Sequence, residues 1–220
     1  MYKNSDSVDR LKQSYIEKKD NIDKRLNHFK SIYNKSDNFI FKELCFCLLT
    51  PQSKARTCDI AVEDIYKNNL LFRATEEQIK DNIKQIRFKN NKARYIILAR
   101  DFFTDNKTKE ITIKTEIDKF ENNTTKLRNW LIKNIKGMGM KEASHFLRNI
   151  GKGDDIAILD RHILKNLKIY NIIDTIPTTI TPKKYTEIET LTRKFSKETK
   201  IPMDALDLLF WSNETGEMFK

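Results

Sequence analysis

The chain has 220 residues, 39% hydrophobic and 33% charged, with 42 lysines and arginines against 31 acids for a net charge of +11. That length suits one domain or two closely packed lobes, and only five glycines and four prolines leave little room for a long flexible linker or a turn-rich all-β fold. The charge points to a polyanionic partner, nucleic acid first, and no apolar run reaches membrane-spanning length.

The start, MYKNSDSVDRLKQ, is polar and unlike a signal peptide. Residues 8–34 space apolar positions widely among lysines and acids, which predicts one or two exposed amphipathic helices. Phe39 to Leu49, FIFKELCFCLL, is nearly all apolar and predicts a buried helix ending at Thr50-Pro51, because proline disfavours helical geometry in the residue before it. Gln52 then falls in an exposed turn. Cys45, Cys47 and Cys58 are an odd set, two of them inside the apolar stretch, and read as buried reduced thiols rather than a disulfide framework.

Ala55 to Tyr66 repeats apolar residues at helical spacing, and Thr75-Glu-Glu-Gln78 is a capping box that opens a helix carrying Ile79, Ile83 and Ile86. Phe88-Lys-Asn-Asn-Lys-Ala93 leads into another helix, RYIILARDFF, with Lys89 and Lys92 available to phosphates. Residues 104–123 are polar. ITIKTEI alternates like a strand but would have no partner, so a loop with a short helix is expected. Further on, Thr181-Pro182 has the form of an N-cap followed by proline at the first helical position, and Ile201-Pro202 introduces a last helix, MDALDLLFW. Trp130 lies in a helical pattern and reads as core. The fold class is therefore all-α.

The most informative stretch runs from Leu131 to Leu167: helix, glycine hairpin, helix, short loop and a further helix. Gly137 and Gly139 flank Met138 in a turn that can take positive φ and present backbone N–H groups. Joined by the unpaired donors of the next helix start, they predict an anion site fit for a DNA phosphate. Ala143 is small enough for the two helices to pack closely. Lys141 follows the hairpin and Asp160 opens the third helix.

Gly-x-Gly-x-Lys-x-Ala, then Leu-Asp-x-His with the aspartate nineteen positions after the lysine, resembles the helix-hairpin-helix DNA glycosylases, the superfamily that includes endonuclease III. The resemblance covers most of the chain from about Phe39 onward. It implies that Lys141 is the nucleophile that attacks the sugar, that Asp160 assists it, and that His162 contacts backbone phosphate. LLTPQ resembles the LLSAQ of endonuclease III, which implies that Gln52 enters the duplex where a base has been flipped out. No cysteine lies beyond Cys58, so the four-cysteine cluster loop of endonuclease III is missing and no iron–sulfur centre is expected. In this family, hairpin carbonyls, here those of Lys133, Ile135 and Met138, can also hold a monovalent cation; no metal or other cofactor is required.

The segment DLLFWSNETGEMFK narrows the resemblance to the small archaeal-type, second class of 8-oxoguanine DNA glycosylases. It implies that Trp211 stacks on the everted base and that Lys220 reaches the lesion pocket. Stacking on an aromatic face is worth roughly 1–3 kcal/mol. The chemistry follows from the residue types. Positive charge builds on the sugar as the base leaves, a lysine amine captures the anomeric carbon as a Schiff base, and β-elimination of the 3′ phosphate can follow. A carboxylate beside it stabilises the developing cation.

The expected organisation is two helical lobes with the helix-hairpin-helix at the cleft between them: residues 36–150 as a central helical barrel, and residues 1–35 with 151–220 as the second lobe. The implied protein is a monomer that acts on double-stranded DNA carrying an oxidised base, is cytoplasmic and nucleoid-associated, and has no membrane partner. Two alternatives stand beside it: a glycosylase for oxidised pyrimidines on the same Lys141–Asp160 pair, and a non-catalytic duplex-binding protein that uses the hairpin as a clamp.

Overall fold

A computed structural model describes residues 5–121 and 123–219. Its chain divides into two compact units, one of residues 1–30 with 151–220 and the other of residues 31–150. All regular elements among the described residues are helices, so the fold is all-α. The polar 104–123 region forms one isolated antiparallel bridge, Thr104 to Ile111, followed by a short helix.

The first helix, α1 (Ser5–Ile32), is a single 28-residue element. Its wide apolar spacing puts Leu11, Ile22, Phe29 and Ile32 in buried positions while most of its lysines and acids stay in solvent.

The 31–150 unit is built around α2 (Asp37–Leu49), whose residues 40–49 are all buried. Ser36 starts it by accepting from the Phe39 N–H at 3.4 Å. Packed against α2 are α3 (Ala55–Lys67), α6 (Lys89–Phe103), α7 (Ile113–Asp118) and α9 (Met140–Asn149). The shorter α4 (Leu70–Arg73) and α5 (Glu76–Asn82) bridge α3 and α6, and the Thr75–Gln78 capping box opens α5 as predicted. An apolar helix surrounded in this way needs an answer for its charged residues. Lys42 finds one in Glu63 at 2.9 Å, with its ammonium 3.8 Å above the Phe39 ring. Next to α9 lies α8 (Thr124–Asn134), where the half-buried Trp130 packs on Phe102, Phe103 and Phe120.

The other unit contains α10 (Arg161–Ile169), α11 (Pro182–Thr199) and α12 (Met203–Thr215), with α12 touching both of the others. Thr181 caps α11 and Pro182 occupies its first turn, as the sequence predicts. The loop before α10 is held from α11: Tyr185 accepts the Leu159 N–H and donates to the Ala157 carbonyl, and Glu189 accepts the Ala157 N–H.

Candidate active site

The hairpin that leads to Lys141 has a specific steric cause. Gly137 takes φ +88°, and a Cβ there would lie 2.2 Å from the Tyr95 ring. Tyr95, on α6, therefore fills the place a side chain would need, and only glycine lets the backbone pass. The sequence contains no pattern that pairs Tyr95 with the hairpin. Gly139 differs from expectation, with φ −101° and ψ −173°, an extended N-cap rather than a left-handed turn.

The hairpin donors also differ from expectation. Met138 is buried and gives its N–H to the Ile135 carbonyl at 3.2 Å, while Gly139 gives its N–H to Glu142 Oε2 at 3.3 Å. Closing the turn on itself uses both groups, so the donors left for an anion are chiefly those of the first turn of α9, which have no intrahelical carbonyl to bond.

Lys141 is the second residue of α9 and is half-buried. Its Nζ makes one hydrogen bond among the described residues, a long one of 3.4 Å to Thr50 Oγ1. The Thr50 hydroxyl in turn donates to the Cys47 carbonyl at 2.9 Å. Thr50 begins the turn that carries Gln52. The Ser53 N–H bonds the Thr50 carbonyl at 3.0 Å, Pro51 is second, and Gln52 is third with φ +52°. This is the pattern of a type II turn with glutamine where glycine is the relaxed choice. Gln52 is exposed.

Lys92 is not available to phosphates. It is only 3% exposed, and its ammonium donates to the Leu49 carbonyl (2.7 Å), the Pro51 carbonyl (2.7 Å) and Ser53 Oγ (3.0 Å). The helical period of α6 turns it inward with Ala93 and Ile96, whereas Lys89 stays half-buried at the helix start. Burial pulls the Lys92 amine down to about 8. The Leu49 carbonyl also receives the Cys58 thiol at 3.2 Å, and burial pushes that thiol up to about 11 although Lys92 and Lys141 pull the other way. Cys58 is thus a protonated structural thiol; Cys45 and Cys47 are likewise buried.

Phe88 escaped the sequence reading. It stands at the start of α6 with φ +59° and 52% exposure, an unusual posture for a bulky aromatic residue. Its neighbour Arg87 donates its backbone N–H to Ser53 Oγ, so the turns carrying Gln52 and Phe88 are tied together. Exposed aromatic character in a lysine- and asparagine-rich segment was the available signal.

In the other unit, Asp160 is the N-cap of α10. Its Oδ1 accepts the Ile163 N–H at 2.8 Å, and the residue is half-buried. His162, also half-buried, meets Trp211 edge-on at 6.4 Å between ring centroids. Trp211 is half-buried on α12 and has Phe219 tilted against it at 6.2 Å. The chain around them is pinned from several sides. Lys165 pairs with Glu214 at 2.8 Å, Lys18 donates to Ser212 and Asn213, and Arg25 donates to the Met218 carbonyl at 2.9 Å. Thus α1, which carries no recognisable motif, secures the segment that follows Trp211. Lys220 lies outside the described residues.

Two units therefore each present one polar group at a helix start: an amine with a single long contact, and a carboxylate with one oxygen engaged. Residues 22–201 match the family model for 8-oxoguanine DNA glycosylase. Among curated relatives, 8-oxoguanine DNA glycosylase/AP lyase of Fusobacterium nucleatum is 42% identical over 99% of this chain and 100% of its own length. The protein of the same name from Methanocaldococcus jannaschii is 43% identical over 97% of each chain. The solved structure of the Methanocaldococcus jannaschii 8-oxoguanine glycosylase/lyase in complex with a 15mer DNA containing 8-oxoguanine superposes with a TM-score of 0.84, at 40% identity, covering 96% of this chain and 100% of that one. The 8-oxoguanine DNA glycosylase of Thermotoga maritima gives 0.82 at 29% identity, covering 97% and 98%. The chain belongs to the 8-oxoguanine DNA glycosylase family.

Proposed function

We propose that this protein excises 8-oxoguanine from duplex DNA and then breaks the strand on the 3′ side of the vacated sugar. The observation that carries the reading is the state of the Lys141 amine, half-buried at a helix start with one 3.4 Å contact to a hydroxyl. An amine held that loosely is free to leave its partner for an electrophile. The full-length relatives named 8-oxoguanine DNA glycosylase/AP lyase support the same activity.

In this reading the Lys141 nitrogen attacks the anomeric carbon as the bond to the base breaks, and the base departs with a proton. The C1′–O4′ bond of the sugar then breaks, O4′ taking up a proton while the lysine nitrogen's lone pair forms the C=N bond of the Schiff base, after which removal of a proton from C2′ expels the 3′ phosphate. Asp160 stabilises the positive charge on the sugar through the oxygen its helix cap leaves over. Gln52 and Phe88, on turns joined through Ser53, enter the duplex at the extrusion point. Trp211 offers the everted base a stacking face, with Lys220 assigned to the lesion on the motif alone. His162 and the hairpin Gly137–Gly139 face the phosphate backbone, and the carbonyls of Lys133, Ile135 and Met138 are the oxygens a monovalent cation would use. The work is done on the nucleoid.

Borohydride trapping tests the reading. The protein should form a covalent adduct with a duplex carrying 8-oxoguanine and none with the undamaged duplex; failure to trap with any lesion removes the lyase assignment. Affinity for undamaged duplex should fall by about 1,000-fold between 50 and 200 mM salt if roughly six or more phosphates are contacted.

A further inference from the structure

Lys92 holds the turn between Thr50 and Ser53 more tightly than a plain loop needs. All three of its ammonium donors converge on that turn, on the Leu49 and Pro51 carbonyls and Ser53 Oγ, and among the described residues no carboxylate is hydrogen-bonded to it. The two carbonyls bracket Thr50. Within the bracket are the hydroxyl that touches Lys141 at 3.4 Å and, one residue after Pro51, an exposed glutamine at φ +52°. A non-glycine residue in the left-handed region stores strain and persists only where its surroundings over-determine it. Here the surroundings are a buried lysine, a burial that itself disfavours the charge. A glycine at 52 with a leucine at 92 would be the relaxed solution for structure alone.

We propose that Lys92 is a positioning residue that couples the two halves of the reaction: it keeps the 50–53 turn in its strained shape, so that Gln52 stands outward and the Thr50 hydroxyl stays against the Lys141 amine. Resting as it does on the reading of Lys141 as nucleophile, this gives one buried ammonium control over both base extrusion and sugar attack. Thr50 is the second positioning residue, acting on Lys141 directly. The other charges near Lys92 are Arg87, Glu142 and Lys141 itself.

The test is single-turnover trapping at saturating protein on an 8-oxoguanine duplex, with duplex affinity and melting temperature measured alongside. Lys92→Met should slow trapping about 100-fold, the size of effect that an ångström of misplacement produces, with duplex affinity within about threefold because no phosphate contact is lost. Thr50→Val should slow trapping about tenfold, as its hydroxyl only orients the amine. The deciding measurement is Lys92→Met in a Gln52→Gly background. Glycine takes the turn without strain, so the lysine substitution should then cost about tenfold or less. A lysine that merely supports the fold would cost the same factor in both backgrounds, and that result overturns the proposal. Should Lys92→Met fail to fold, wild-type trapping by Thr50→Val overturns it instead. Lys141→Gln in the same assay separates the two levels: if that variant still traps, the nucleophile reading fails; if it does not trap while Thr50→Val and Lys92→Met behave as wild type, only the coupling fails.

Discussion

The starts of α9 and α10 solve one problem in opposite ways. Each helix begins with backbone N–H groups that no earlier carbonyl can satisfy. At α9 the N-cap is Gly139, which offers no side chain, and Glu142 reaches back to it from within the helix. At α10 the N-cap is Asp160, whose own carboxylate takes the Ile163 N–H. The first arrangement leaves the adjacent Lys141 amine nearly unbound; the second fixes a carboxylate with one oxygen to spare. A helix start serves chemistry well because its atoms are presented away from the packed face while the helix behind them stays rigid. The side chain left available at a helix start need not be the cap, provided something else satisfies the backbone.

The largest effect is expected of Lys141→Gln. It should abolish borohydride trapping and strand cleavage while duplex affinity stays within about threefold, since a polar side chain remains at the helix start. Wild-type trapping would remove Lys141 from the reaction. Asp160→Asn should come next, slowing base release about 100- to 1,000-fold with melting little changed, because the amide oxygen still caps α10 but the charge is gone. Unchanged single-turnover excision would reduce Asp160 to a cap.

Smaller effects sharpen the structural side. Glu142→Ala removes the reach-back to Gly139 and should lower the melting temperature by about 2–4 °C, the worth of a lost cap of roughly 1 kcal/mol in a chain of this size. No change would mean that water caps α9 equally well. Another acidic helix start, Asp204 at the second position of α12, provides the contrast with Asp160. It is buried, and desolvation, aided by the charge of Asp154, pushes its carboxyl above the ordinary range, with the Ala205 N–H and Lys30 opposing. The folded state therefore takes up a proton at a higher pH than the unfolded chain does. The stability this group contributes is full below about pH 4 and is lost as pH rises through the folded value. Asp204→Asn should accordingly melt about 2 °C higher than the parent near pH 7, with the difference closing as pH falls towards 4. A gap that widens on acidification would reverse the assignment.

Much of this protein is legible without coordinates. The capping box at Thr75, the proline-led start at Thr181-Pro182 and the apolar run at 39–49 are local patterns, and local patterns state their helices because caps and periodicity act within a few residues. The Gly-x-Gly-x-Lys spacing and the aspartate nineteen positions later named the family for the same reason: a hairpin and two helix starts are short-range objects.

Only the tertiary structure decided what the remaining side chains meet. Lys92 looks like a surface lysine in sequence, and becomes a buried clamp because the turn after α2 brings three oxygens to it from 39 to 43 positions away. Tyr95 has no motif, yet its ring makes Gly137 obligatory. The hairpin donors assigned to phosphate are partly used by Ile135 and Glu142, a matter of angles that spacing does not encode. And α1, amphipathic but without a functional motif, holds the segment beyond Trp211 through Lys18 and Arg25, nearly two hundred residues away in the chain. Residue type and short spacing carry local information, so the sequence could single out Lys141 and Asp160 as candidates and indicate the family; contacts between distant segments depend on how whole helices pack, and there the fold alone decides.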